Sequence, residues 1–244
     1  MSNPRRIFVS VTATLAIAPW LARAQATQSA ATLQLGTTTV RIPTPEGFVE
    51  TSNRAPDVYA MAIAYSGSDT RILAHFVRAE DLNQFEKGKK FIFREFSLAL
   101  TPRRAESLVV TQAQFDKLRA GTVAMQSQLA SKLKPGIAAE VARVSKAVST
   151  AAGSTIKVAV GEIVPVSIDR NDSKVLSYTI LVTAGVSEAG GTNTQNLVAG
   201  ATYCFISGKV IMLNAYRMFR SPRDLQINRE MQANWIAGLY AANS

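Results

Sequence analysis

The chain has 244 residues, 47% of them apolar and 18% charged, with 27 Lys+Arg against 17 Asp+Glu and a net charge of +10. This composition excludes a disordered tail, a collagen-like repeat, a disulfide-dense miniprotein and a polytopic membrane protein. One Cys and one His exclude an intrachain disulfide and a Cys/His metal cluster, so no metal or cofactor site is expected.

Residues 1–24 have the form of a secretory signal. Arg5 and Arg6 make a positive start, residues 7–21 are apolar and uncharged, and Ala22-Arg23-Ala24 gives a small-x-small cleavage pattern with the cut after Ala24. The apolar stretch is 15 residues, shorter than the ~20 that span a bilayer. Removing residues 1–24 takes away Arg5, Arg6 and Arg23 and lowers the net charge to +7. The expected destination is the periplasm or the outside of the cell, an oxidising space in which a lone cysteine is inert when buried.

Residues 25–36, rich in Ala, Thr, Ser and Gln, read as a flexible lead-in, so a single domain is expected over 37–244. Residues 37–42 alternate as a short strand that Pro43-Thr44-Pro45-Glu46-Gly47 ends, and Phe48 drops into the core. A short helix is predicted over 54–64 and a strand over 72–77. A helical turn or two follows over 80–87, closed by Gly88, then a strand over 91–100. Thr111 and Gln114 have the capping-box spacing. Phe115, Leu118, Thr122, Met125, Leu129 and Leu133 then recur at helical intervals as a core-facing stripe, and Pro135-Gly136 ends that helix. Ile137, Val141, Val144 and Val148 form the stripe of a second helix.

From Thr155 the period is two. A long hairpin is predicted from 156–168 and 175–184 around an Asp169–Ser173 turn, with Pro165 marking a bulge or a sheet edge. Residues 185–195 read as a Gly/Thr/Asn loop. A second hairpin pairs 197–206 with 210–216 across Ser207-Gly208-Lys209. Ser221, Pro222 and Asp224 supply an N-cap, N1 and N3 set for an amphipathic C-terminal helix. The fold class is therefore α+β: a twisted antiparallel sheet with two late hairpins, flanked by a long central helix pair and a C-terminal helix.

The segment Arg41-Ile42-Pro43-Thr44-Pro45-Glu46-Gly47-Phe48, the Ser207-Gly208-Lys209-Val210 hairpin and the helix from Pro222 resemble the PsbP-like superfamily, the extrinsic subunits of photosystem II and their bacterial relatives. The resemblance spans residues 37–240. It implies a twisted antiparallel sheet flanked by helices and no conserved catalytic set.

His75 sits inside a strand-like run, and no Gly-x-Ser-x-Gly elbow accompanies it, so a buried or edge histidine is expected. Cys204 lies mid-strand among apolar neighbours, as a buried thiol would. Glu162 interrupts an apolar strand. It is a candidate acid or base if buried and an ordinary solvent-facing carboxylate if not. Asp169 and Asp172 suit a turn better than a calcium site. Gly190-Gly191 lacks a phosphate-loop pattern.

Positive charge is dense at Lys87, Lys89, Lys90, Arg94, Arg103 and Arg104, the candidate contacts for an anion or a partner. Arg217, Arg220, Arg223 and Arg229 form a second set. The leading expectation is an exported, non-catalytic envelope protein that binds a protein partner or an anionic envelope component, not nucleic acid. The alternatives are a hydrolase-like enzyme using carboxylates in a cleft and a small-ligand carrier with an apolar pocket.

Overall fold

The computed structural model describes residues 30–87, 93–126, 141–147, 149–150, 157–188 and 191–244. Among these residues nine strands form two sheets. A hairpin pairs β1 (Ala30–Leu35) with β2 (Thr38–Pro43). The second sheet has seven strands: β3 (Phe48–Glu50), β4 (Thr70–Arg78), β5 (Glu95–Pro102), β6 (Lys157–Asn171), β7 (Val175–Glu188), β8 (Gly191–Ile206) and β9 (Lys209–Met218). Their order is β3-β4-β5-β9-β8-β7-β6, antiparallel throughout. Local chemistry explains the joints. Ser207 and Gly208 both take positive φ, 48° and 75°, and close a two-residue loop between β8 and β9.

One face of this sheet carries the main core. The C-terminal helix (Pro222–Ala242) lies across β8 and β9, with the β1–β2 hairpin beside it. Trp235, Ile236 and Leu239 meet Leu35, Val40 and Ile42 from the hairpin and Phe76, Ala99 and Leu213 from the sheet. The Trp235 and Phe76 rings meet edge to face at 5.6 Å, and Trp235 Nε1 donates to the Pro43 carbonyl at 2.8 Å. At the far end Asn243 bonds both the N–H and the carbonyl of Arg41. The opposite face packs α1 (Pro56–Tyr65) and α2 (Ala79–Glu86): Val58 and Leu82 meet Val77, and Ala62 meets Leu98 and Leu100. α3 (Gln112–Gln126) stacks Phe115 on Phe205 at 5.3 Å.

The capping boxes form as the spacing predicts. Thr111 N–H donates to Gln114 Oε1 at 2.8 Å, and Ser221 N–H donates to the Asp224 carboxylate at 2.9 Å. Pro165 does lie in the edge strand β6, where the register slips between Pro165 and Ser167.

Four expectations need correction. Residues 30–35 are strand β1, not flexible lead-in: Ala31, Leu33 and Leu35 alternate toward the core beneath an Ala/Thr/Gln-rich surface composition. The domain therefore begins ahead of residue 37. Residues 185–188 and 191–195 are ladder, with Gly185 opposite Thr194 and Glu188 opposite Gly191, because long-range partners outweigh weak local strand propensity. The Asp169–Ser173 turn is shorter, since β6 runs to Asn171. The α3 stripe reaches the core only at Phe115; Leu118 and Met125 are 37% and 57% exposed. Leu129 and Leu133, the Pro135-Gly136 stop, Ile137 and Val148 lie outside the described residues, while residues 141–147 and 149–150 are helical with Val144 buried.

Candidate functional site

The catalytic candidates separate in space and take structural roles. His75 is buried, its Nδ1 2.8 Å from Thr51 Oγ1, and burial lowers its pKa to about 4. Cys204 is fully buried, and burial pushes its thiol up to about 12. Glu162 is exposed on β6. Asp172 accepts the N–H groups of Lys174 and Val175 and pairs with Arg170, an Asx turn. Asp169 is held by Arg229 at 3.0 Å and by Thr179 at 2.6 Å. Among the described residues no three His, Cys, Asp or Glu side chains converge on a metal-sized site.

The basic candidates also divide. Arg94 precedes β5, whereas Arg103 and Arg104 form a 3-10 turn after its last residue, Pro102. Eight strand residues separate them, about 27 Å. Lys87 caps the C-terminus of α2. Lys89 and Lys90 lie outside the described residues.

What the fold brings to Arg94 is part of the second basic set, Arg217 and Arg220. β4 ends at Arg78, β5 starts at Glu95, β9 ends at Met218 and the C-terminal helix starts after Ser221, all at one end of the sheet. There they enclose a cleft of about 440 Å³ lined by Arg78, Arg94, Arg217 and Arg220 and by Glu80, Asp81, Glu95 and Asp224.

Carboxylates fix three of these arginines. Glu95 divides its two oxygens: Oε2 accepts Arg78 Nε at 2.8 Å, and Oε1 pairs with Arg217 Nη1. Arg217 Nε reaches on to Asp224 Oδ1 at 2.8 Å. Asp81, almost wholly buried, accepts Arg94 Nη2 at 2.7 Å and the Arg94 backbone N–H at 3.0 Å. The Arg217 guanidinium, with the Arg220 and Ser221 backbone N–H groups, holds the Asp224 carboxyl down to about 2. Asp81 in turn raises the Arg94 pKa further.

Gly47 lets the wall close. It turns at φ +77°, and a Cβ there would stand 2.6 Å from Arg78 Nη1. Arg78 lies over the Phe48 ring at 4.6 Å. Among the described residues, neither the Arg220 guanidinium nor that of the exposed Arg223 has a carboxylate oxygen within 4.0 Å. Arg94 keeps half of its side chain in solvent. The result is an array of guanidinium groups with donors to spare, suited to a carboxylate or phosphate.

Sequence reasoning found Arg94, Arg217, Arg220 and Arg223, and it found Asp224 as a cap. It missed Arg78 and Glu95. Their only sequence signal is a charge at one end of an apolar strand, which any solvated strand end also shows.

No family model and no curated protein matches the chain. Solved structures similar to it include the Ran-binding protein Mog1p of Saccharomyces cerevisiae, at 14% identity and a TM-score of 0.32 over 88% of this chain and 93% of that one. A point mutant of Mog1 is similar at 13% identity and the same TM-score of 0.32, again over 88% and 93% of the two chains. Likeness at this level bears on neither fold nor function.

Proposed function

We propose that this is an exported, non-catalytic envelope protein that binds an anionic component of the envelope through the arginine cleft. The cleft carries the reading. Three arginines are fixed in place by Asp81, Glu95 and Asp224, so little side-chain freedom is lost when an anion arrives. Arg220 and the exposed half of Arg94 supply uncommitted donors. Export rests on the leader-like residues 1–24. The α+β architecture with its C-terminal helix also fits the PsbP-like resemblance, which belongs to this proposal.

Among the described residues no helix is long and apolar enough to cross a membrane. Phosphate headgroups of an anionic bilayer are the component we favour, because guanidinium forks match phosphate oxygens in pairs. The test is co-sedimentation of the exported protein with phosphatidylglycerol vesicles. Binding should occur at low ionic strength, fade as salt screens it, and be absent from phosphatidylcholine vesicles. No binding to anionic vesicles at low salt, or equal binding to neutral ones, removes the reading.

A further inference from the structure

The path of the chain gives the cleft a direction. β2 runs along the C-terminal helix from Arg41, beside Asn243, to Pro43, beside Trp235. Four residues beyond Pro43 the chain reaches Gly47 in the cleft wall, at most about 14 Å away. β1 is antiparallel to β2, with Leu35 opposite Thr38 and Ala30 opposite Pro43. Traced backward, β1 therefore leads toward the cleft end of the molecule. The opposite end holds the β1–β2 turn at Gly36, where a Cβ would meet Lys209 Nζ and Ser107.

The apolar run of the leader stops at Leu21, and residues 22–29 join it to β1. Eight residues reach at most about 29 Å. A body tethered that closely to a bilayer emerges with its β1 entry side, and so its cleft end, toward the lipid. That end also presents Arg220, Arg223 and half of Arg94. Arg103 and Arg104, equally exposed, stand at the other end of β5.

We infer that the cleft end, carrying Arg94, Arg220 and Arg223, is the membrane-facing surface of this protein, docking on anionic phospholipid headgroups on the side from which its leader enters. The inference rests on the proposed binding of anionic lipid and adds its orientation. During export the same geometry lays the arginines on the headgroups while the leader is still attached. After cleavage, charge alone keeps that end down.

Two charge reversals of equal size separate orientation from bulk charge. Arg220→Glu with Arg223→Glu and Arg103→Glu with Arg104→Glu lower the net charge of the exported protein by the same amount. Binding to phosphatidylglycerol vesicles at low salt should weaken at least about tenfold in the first pair and less than about twofold in the second. Unchanged melting temperatures in both pairs show that the fold is retained. Equal losses in the two pairs, or a larger loss in the second, overturn the orientation and leave anionic-lipid binding standing. Failure of the unsubstituted protein to bind removes both.

Discussion

His75 shows how a single buried group sets a pH response without any catalytic duty. Burial favours the neutral ring, so the folded protein takes up this proton only near pH 4, while the unfolded chain takes it up near 6.5. Between those values the unfolded state binds more protons. The stabilisation is therefore complete above about pH 6.5 and declines on acidification, reaching a loss of about 3 kcal/mol below pH 4. Urea unfolding midpoints measured across this window should slope for the native sequence and flatten for His75→Gln; equal slopes would show that the ring is not desolvated. Asp224 works at a lower pH. Its carboxyl is held near 2, so the stability it contributes is complete above the ordinary 3.8, declines as pH falls below that, and is gone below about 2. Replacing it with Ala at neutral pH removes the cap acceptor and leaves Arg217 paired with Glu95 alone. The expected cost is about 1–2 kcal/mol by denaturant titration.

At the scale of elements, the seam between the C-terminal helix and the sheet is half apolar and half polar. Trp235, Ile236 and Leu239 bury as the amphipathic pattern predicts, but the preceding turns bury Asp224, Asn228 and Gln232. Gln232 Nε2 donates to Thr202 Oγ1 at 2.7 Å, and Thr202 donates to Ser177 at 2.9 Å. Gly200 makes room for this contact, since a Cβ there would overlap Gln232 Oε1. Gly200→Ala should cost about 1–3 kcal/mol. In Gly200→Ala/Gln232→Ala the summed cost of the two single changes should not be reached, because the clash is gone; strict additivity in that double-mutant cycle would contradict the contact.

This polar seam was illegible in the sequence, because polar residues on a helix read as its solvent face until their sheet partners are known. The caps at Thr111 and Ser221, both late hairpins and the C-terminal helix were legible, because their signals are local. β1 and the ladder over 185–188 and 191–195 were not. Their Ala, Gly and Asn residues have weak strand propensity, and pairing over long range decides them. The cleft was half legible for the same reason. Arg94 and Arg217 are 123 residues apart in sequence and meet only because Glu95 pairs with Arg217 across β5 and β9.

At the scale of the whole molecule, the net positive charge does not gather into one patch. Three of the four cleft arginines are paired with carboxylates. Among the described residues Arg220 and Arg223 at one end of β5 and Arg104 at the other are exposed with no carboxylate partner for their guanidinium groups, as is Arg41 beside the end of the C-terminal helix. Net charge draws the protein to any anionic surface, but only the placement of free arginines gives it an attitude there. The buried, high-pKa thiol of Cys204 makes that attitude measurable, because introduced cysteines can be labelled while Cys204 stays unreactive in the folded state. The most direct test uses a polarity-sensitive fluorophore on Gln226→Cys, exposed near the start of the C-terminal helix, or on Ser244→Cys, exposed beyond its end. On adding phosphatidylglycerol vesicles at low salt, emission should shift to the blue for the label at residue 226 and stay unchanged for the label at 244. A shift at 244 alone, or equal shifts at both, would contradict a membrane-facing arginine cleft.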